Sequence, residues 1–303
     1  MHPSVFDLNR DSLLVRMPLV IHAPLHFSAS RELNSQQKGP PKGKDFETVE
    51  MDTRDNLEHI ATCDFESKET WEQDWNTADD PMFHLKEVNA MLMKHYKAFT
   101  GGRKGLRILV PLCGKSLDMI WLADQGYSVV GVELIRKGIE AFLQDNKLTH
   151  REECVTLSPE IQGTIFKVDK KDISLYECSI FDFSAAVAGG QFDLIWDRGS
   201  MTAINVMKDE RMKQYCDLML SCLKPDGRYF LEFFAPESTE GMPSTFKFIS
   251  EKALDERFGD RCTIQYLGTE KMSEEEATES EQPGCEEHEE NPFLMHYYFM
   301  DFK

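Results

Sequence analysis

Long apolar runs are missing from this 303-residue sequence. None approaches the roughly 20 residues that a membrane-spanning helix needs, so a soluble protein is expected. Basic residues are scarce beside acidic ones, with 34 Lys plus Arg against 53 Asp plus Glu and a formal net charge of −19. That field repels phosphate backbones and anionic lipid headgroups, which argues against nucleic acid and membrane surfaces as partners. The eight cysteines form no C-x-x-C pair, and the His/Cys spacing of a zinc site does not occur. Neither a disulfide framework nor a bound metal is expected. Several cysteines sit in apolar runs, as Cys178 does in ISLYEC, and read as small buried hydrophobes in a reducing compartment.

Sustained periodicity is also lacking from residues 1–66, and Ser28 to Lys44 is rich in Ser, Gln, Lys, Gly and Pro. This part reads as a mobile N-terminal extension. Arg10, Arg16 and Arg31 among apolar residues give a faint likeness to a targeting leader, which Asp7, Asp11, Pro18 and Pro24 weaken. A second polar segment, the acidic stretch 272–292, repels itself too strongly to pack and reads as a solvated loop.

Between them the texture is that of a folded domain over 67–303. Trp71, Trp75, Phe83, Leu85, Val88, Leu92 and Tyr96 suggest two short helices joined near Asp79 to Pro81. LRILVPL then has the continuous apolar character of a strand buried on both faces. Helix Ser116–Gly126, strand YSVVGVEL and helix Arg136–Lys147 follow, and TIFKV with ISLYEC reads as a hairpin. FDLIWD, a helix over Lys208–Leu223, GRYFLEFF, a Ser250-capped helix ending at Gly259, CTIQYL and PFLMHYYFM complete the pattern. Such alternation implies a doubly wound α/β fold around a mostly parallel sheet.

The chemistry-bearing segment is RILVPLCGKSLDMIWLADQGYSVVGVEL. A strand enters a tight turn at Cys113-Gly114, a helix follows, and a second strand ends in Glu133: a nucleotide-binding half. Gly114 lets backbone approach a ligand, and Glu133 is placed to accept hydrogen bonds from ribose hydroxyls. PLCGKS supplies one glycine where a dinucleotide fingerprint needs three, which disfavours NAD. A Walker A loop needs glycine where this chain has Leu109, and Pro111 removes an amide donor, which disfavours ATP. A ligand with ribose and adenine but no phosphate at the turn remains, and S-adenosylmethionine fits. Ser179 and Ile180 in SIFDF would then lie beside the adenine.

WEQDW…FH, PLCGKSLDMIWLADQG, VVGVEL, CSIFDF and IWDRGS together resemble the thiopurine S-methyltransferase family, with gaps, from about Met51 to Lys303. The resemblance implies a seven-stranded sheet with an antiparallel last strand, S-adenosylmethionine as cofactor, a small-molecule thiol as acceptor, and a cytoplasmic monomer. By motif, Trp71, Trp75 and Phe83 would form a cover over the site, with Phe83 toward the acceptor. Leu112 and Gly114 would line the cofactor site, Glu133 would hold the ribose, and Ser179 and Ile180 would meet the adenine. Arg198 would face both cofactor and acceptor as a catalytic residue, and Asp197 would orient Arg198 or a substrate donor.

The chain departs from the family pattern where Pro243-Ser244-Thr245-Phe246 replaces a Pro-Pro-Phe segment, and where Gln265 aligns with an arginine. Loss of that arginine removes a charge-assisted hydrogen bond, a change able to shift acceptor choice. Two other readings stand beside a thiol methyltransferase. One is an enzyme acting on selenium, tellurium or other small nucleophiles, and the other is a non-catalytic S-adenosylmethionine-binding module.

Overall fold

A computed structural model describes residues 67–77, 84–205, 207–238, 248–271 and 293–303. The N-terminal extension 1–66, the Asp79–Pro81 joint, Phe83, Pro243–Phe246 and the acidic segment 272–292 lie outside the described residues.

Helices α1 (Lys68–Thr77) and α2 (Ala90–Thr100) precede the sheet. Then come β1 (Arg107–Val110), α3 (Asp118–Asp124), β2 (Ser128–Glu133) and α4 (Arg136–Asp145). Three strands follow, β3 (His150–Ser158), β4 (Ile161–Val168) and β5 (Ile173–Glu177), and a 3-10 turn covers Ile180–Asp182. The chain continues through β6 (Phe192–Arg198), α5 (Ser200–Asn205), α6 (Asp209–Cys222) and β7 (Leu223–Pro236). Helix α7 (Glu251–Leu254), β8 (Cys262–Lys271) and β9 (Phe293–Phe302) close it.

The strand order is β3-β4-β5-β2-β1-β6-β7-β9-β8. From β5 to β7 all neighbours are parallel. The last strand, β9, is antiparallel to both of its neighbours, as expected. Among the described residues the sheet has nine strands rather than seven. The surplus is the edge pair β3 and β4, antiparallel to each other, with β4 antiparallel to β5. TIFKV and ISLYEC do pair as read, through Thr164↔Glu177 and Phe166↔Leu175. Strand β3, HREECVTLS, is silent in the sequence because it is an edge strand whose side chains are mostly exposed. Such a strand carries no apolar run to announce it.

Alternation along the central strands feeds two cores. Leu109, Val130, Ile195 and Leu231 pack on one face of the sheet. Ile108, Val129, Leu194, Trp196 and Phe230 pack on the other. Each such side chain contributes roughly 1.5–3 kcal/mol on burial. Helix ends follow the local chemistry: Asn89 accepts from Leu92 N at the start of α2, Gly101 closes it at φ +59°, and Ser250 caps α7. Among the described residues no helix is long and apolar enough to cross a membrane.

Candidate active site

Four strand ends meet where β1, β2, β5 and β6 deliver their carboxyl termini, the edge at which open α/β sheets bind ligands. The turn after β1 is held from two sides. Cys113 N donates to Val132 O at 2.9 Å, and Gly114 N donates to Glu133 Oε2 at 2.9 Å. Leu112 at φ +42° and Gly114 at φ +48° adopt the left-handed conformation. This is costly for leucine, and strain of this kind clusters at ligand sites. The turn's Lys115 is buried and pairs with Asp145 at 3.1 Å, so it ties the turn to α4. Cys113 is equally enclosed: a Cβ on Gly131 would stand 2.7 Å from its sulfur, and burial raises the thiol well above its ordinary pKa.

Glu133 closes the turn from β2. Its side chain is 7% exposed, and its Oε1 accepts from Ile135 N at 2.8 Å. Burial raises its pKa and the backbone N–H donors oppose that rise. Cys178 N donates to Glu133 O, which brings the end of β5 alongside. There Ser179 caps the 3-10 turn, accepting from Phe181 N at 3.3 Å, and Ile180 is buried.

Trp75 of α1 is 4% exposed and lies on this turn. A Cβ on Gly114 would stand 3.3 Å from its ring, and one on Gly138 of α4 only 2.8 Å away. Two glycines thus make a slot for one indole. Trp71, one helical turn earlier, is partly buried. Gly138 adds to the residues expected from sequence, and its signal was available: a glycine inside a helix is a known sign of close approach.

The structure separates the pair Asp197-Arg198. Successive residues of a strand point to opposite faces. Asp197 is fully buried and accepts from Tyr215 at 2.6 Å, from Tyr229, and from Met201 N at 3.2 Å. Its expected role in orienting Arg198 or a substrate is therefore corrected: it ties α5, α6 and β7 together beneath the sheet. Arg198 faces the other way, with its side chain 21% exposed and its Nε 3.5 Å from Glu232 Oε1. Glu232 was missed, though a lone acid inside the apolar run YFLEFF was a visible signal. Gln265 lies exposed on β8.

The residues at the strand ends suit a methyl donor that carries a nucleoside. Glu133 accepts from Gly114 N and Ile135 N, and a carboxylate has about four acceptor sites, so capacity remains.

A family model described as thiopurine S-methyltransferase matches residues 66–296. The thiopurine S-methyltransferase of Bos taurus is 38% identical over 200 residues, covering 66% of this chain and 78% of that protein. That of Canis lupus familiaris is 39% identical over 199 residues, covering 66% and 78%. The probable thiopurine S-methyltransferase of Danio rerio is 40% identical over 199 residues, covering 65% and 82%.

Proposed function

The chain belongs to the thiopurine S-methyltransferase family, and from that premise we propose that it methylates small aromatic or heterocyclic thiols, thiopurines among them, at the carboxyl edge of its parallel strands. It is an S-adenosylmethionine-dependent S-methyltransferase. When bound, the donor supplies a methyl group on a positively charged sulfur, open to in-line displacement by a thiolate.

The observation that carries the reading is Glu133: a buried carboxylate, fixed by two backbone N–H groups at the end of β2, with acceptor capacity left for a ribose diol. In this reading Leu112 and Gly114 line the cofactor site, Ser179 and Ile180 flank the adenine, and Trp71 and Trp75 cover the cofactor. Phe83 and Arg198 serve the acceptor side. Acidic heterocyclic thiols ionise near neutral pH, and the Arg198 cation favours their thiolate form by opposite charge. A strong general base is then unnecessary, and the protein's contribution is proximity, orientation and exclusion of water. The acidic field, which keeps like molecules apart, supports a monomer. The scattered cysteines, several of them within apolar runs, support a reducing, cytosolic setting.

The test is release of S-adenosylhomocysteine by purified protein given S-adenosylmethionine and a panel of aromatic thiols, thiopurines and selenols. Acceptor-dependent release led by the thiols is expected. Tight cofactor binding with no release for any acceptor would replace the enzyme by a binding module.

A further inference from the structure

Beneath Arg198 lies a further buried acid, Glu232, which the family assignment leaves without a role. Arg198 and Glu232 are register partners on the parallel strands β6 and β7, so their side chains leave the sheet on the same face. The carboxylate is fully buried. Its Oε1 faces Arg198 Nε at 3.5 Å, and its Oε2 accepts from Asn89 Nδ2 at 2.6 Å. Asn89 is itself anchored, with its N donating to Asp118 Oδ1 at 2.8 Å and its Oδ1 capping α2. Asp118 in turn accepts from Trp196 Nε1 at 2.8 Å. The groups acting on Glu232 are Arg198 from β6, Asn89 ahead of α2, Asp118 from α3 and Tyr297 from β9.

We propose that Glu232 is the built-in counter-ion of Arg198, a positioning residue that fixes the guanidinium at the acceptor side and, through its own charge, sets how tightly anionic acceptors bind. The inference rests on the reading that Arg198 faces the acceptor. With Glu232 ionised, its negative charge offsets that of the guanidinium, and an incoming thiolate is attracted weakly. With Glu232 protonated that offset is gone, and the same thiolate is held more strongly, because little solvent screens charges at a buried site. Burial pushes the Glu232 carboxyl up to about 7, with Arg198 and Asn89 opposing the rise, so the change of charge falls in the neutral range. Substrate affinity would thus be tuned by a group that never touches substrate.

Steady-state kinetics between about pH 5.5 and 8.5 test this, with 5-thio-2-nitrobenzoate as an acceptor whose thiolate stays ionised throughout. Wild-type KM is expected to rise several-fold as pH increases through about 7, with kcat moving less. In Glu232→Gln, which keeps an oxygen to accept from Asn89, KM should stay low and flat across the range. Arg198→Met should raise KM at every pH and, because Arg198 holds the Glu232 carboxyl down, move the remaining rise to higher pH. A flat wild-type profile would overturn the proposal even if the glutamine variant failed to fold. So would a glutamine variant whose profile follows the wild type while Arg198→Met raises KM. If Arg198→Met leaves KM unchanged at every pH, the underlying placement of Arg198 is what fails.

Discussion

Two buried glutamates, Glu133 on β2 and Glu232 on β7, meet the same burial cost by different means. Glu133 is held by the main chain, from Gly114 N and Ile135 N. Glu232 is held by side chains, Asn89 and Arg198, brought from outside its own strand. Backbone donors are fixed by the turn itself and need no further residue to orient them. Side-chain donors must be positioned by other contacts, here those of Asn89 with Asp118 and Leu92. The first arrangement makes a rigid acceptor suited to an unvarying ligand. The second makes an acid whose charge and setting can be changed one side chain at a time.

The contrast is broken most severely at Asn89. Asn89→Ala removes the donor to Glu232 Oε2 and the cap of α2 together. The orphaned acceptor costs about 1–3 kcal/mol and the cap about 1 kcal/mol, so a loss near 3 kcal/mol is expected in denaturant unfolding. A loss below about 1 kcal/mol would mean that Glu232 finds another donor easily.

Titration sharpens the contrast with an effect of similar order. Glu232 has a pKa of about 7 in the fold against an ordinary 4.5, so the folded protein keeps a proton that the unfolded chain has given up. Its contribution to stability is complete below about 4.5 and is lost as pH rises through about 7, amounting to roughly 3 kcal/mol. Glu232→Gln should therefore gain stability relative to wild type across that window. Parallel stability curves for the two proteins would contradict the assignment.

Glu133→Ala probes the other member of the pair. Cofactor affinity measured by calorimetry should fall about tenfold or more, near 1.4 kcal/mol, as a charged acceptor for the ribose disappears. Arg198→Ala should spare that affinity and reduce turnover. The reverse pattern would exchange the two roles.

The smallest effect is expected for Gly138→Ala, where alanine gains helix propensity of roughly 1 kcal/mol but brings a Cβ within 2.8 Å of Trp75. A net loss of about 1 kcal/mol, with weaker cofactor binding, should appear in thermal unfolding and calorimetry. A Gly138→Ala protein more stable than wild type would show that Trp75 moves aside without penalty.

Much of this molecule was legible in its sequence because its central strands are continuously apolar and its functional turn is local. RILVPLCGKS and VVGVEL reveal a buried parallel pair, and the interval from Gly114 to Glu133 is set by a single crossover helix. What stayed hidden was the geometry that depends on distant segments. Asn89 and Glu232 are 143 residues apart and meet only through the fold. Asp197 and Arg198 look like one functional pair in IWDRGS, yet the pleat sends them to opposite faces. Strand β3 hid for a different reason: an edge strand with a solvated surface resembles a polar loop.

The indole slot has a consequence for descent. Gly138 is required by the bulk of Trp75, whereas Gly114 is kept glycine by its own φ of +48° as well, so Trp75 and Gly138 should change together among relatives. A chain with a smaller residue in place of Trp75 has no reason to keep a glycine in the middle of α4, where alanine favours the helix. Such lineages should fill the slot, and after that a return to tryptophan would be blocked until the glycine was restored.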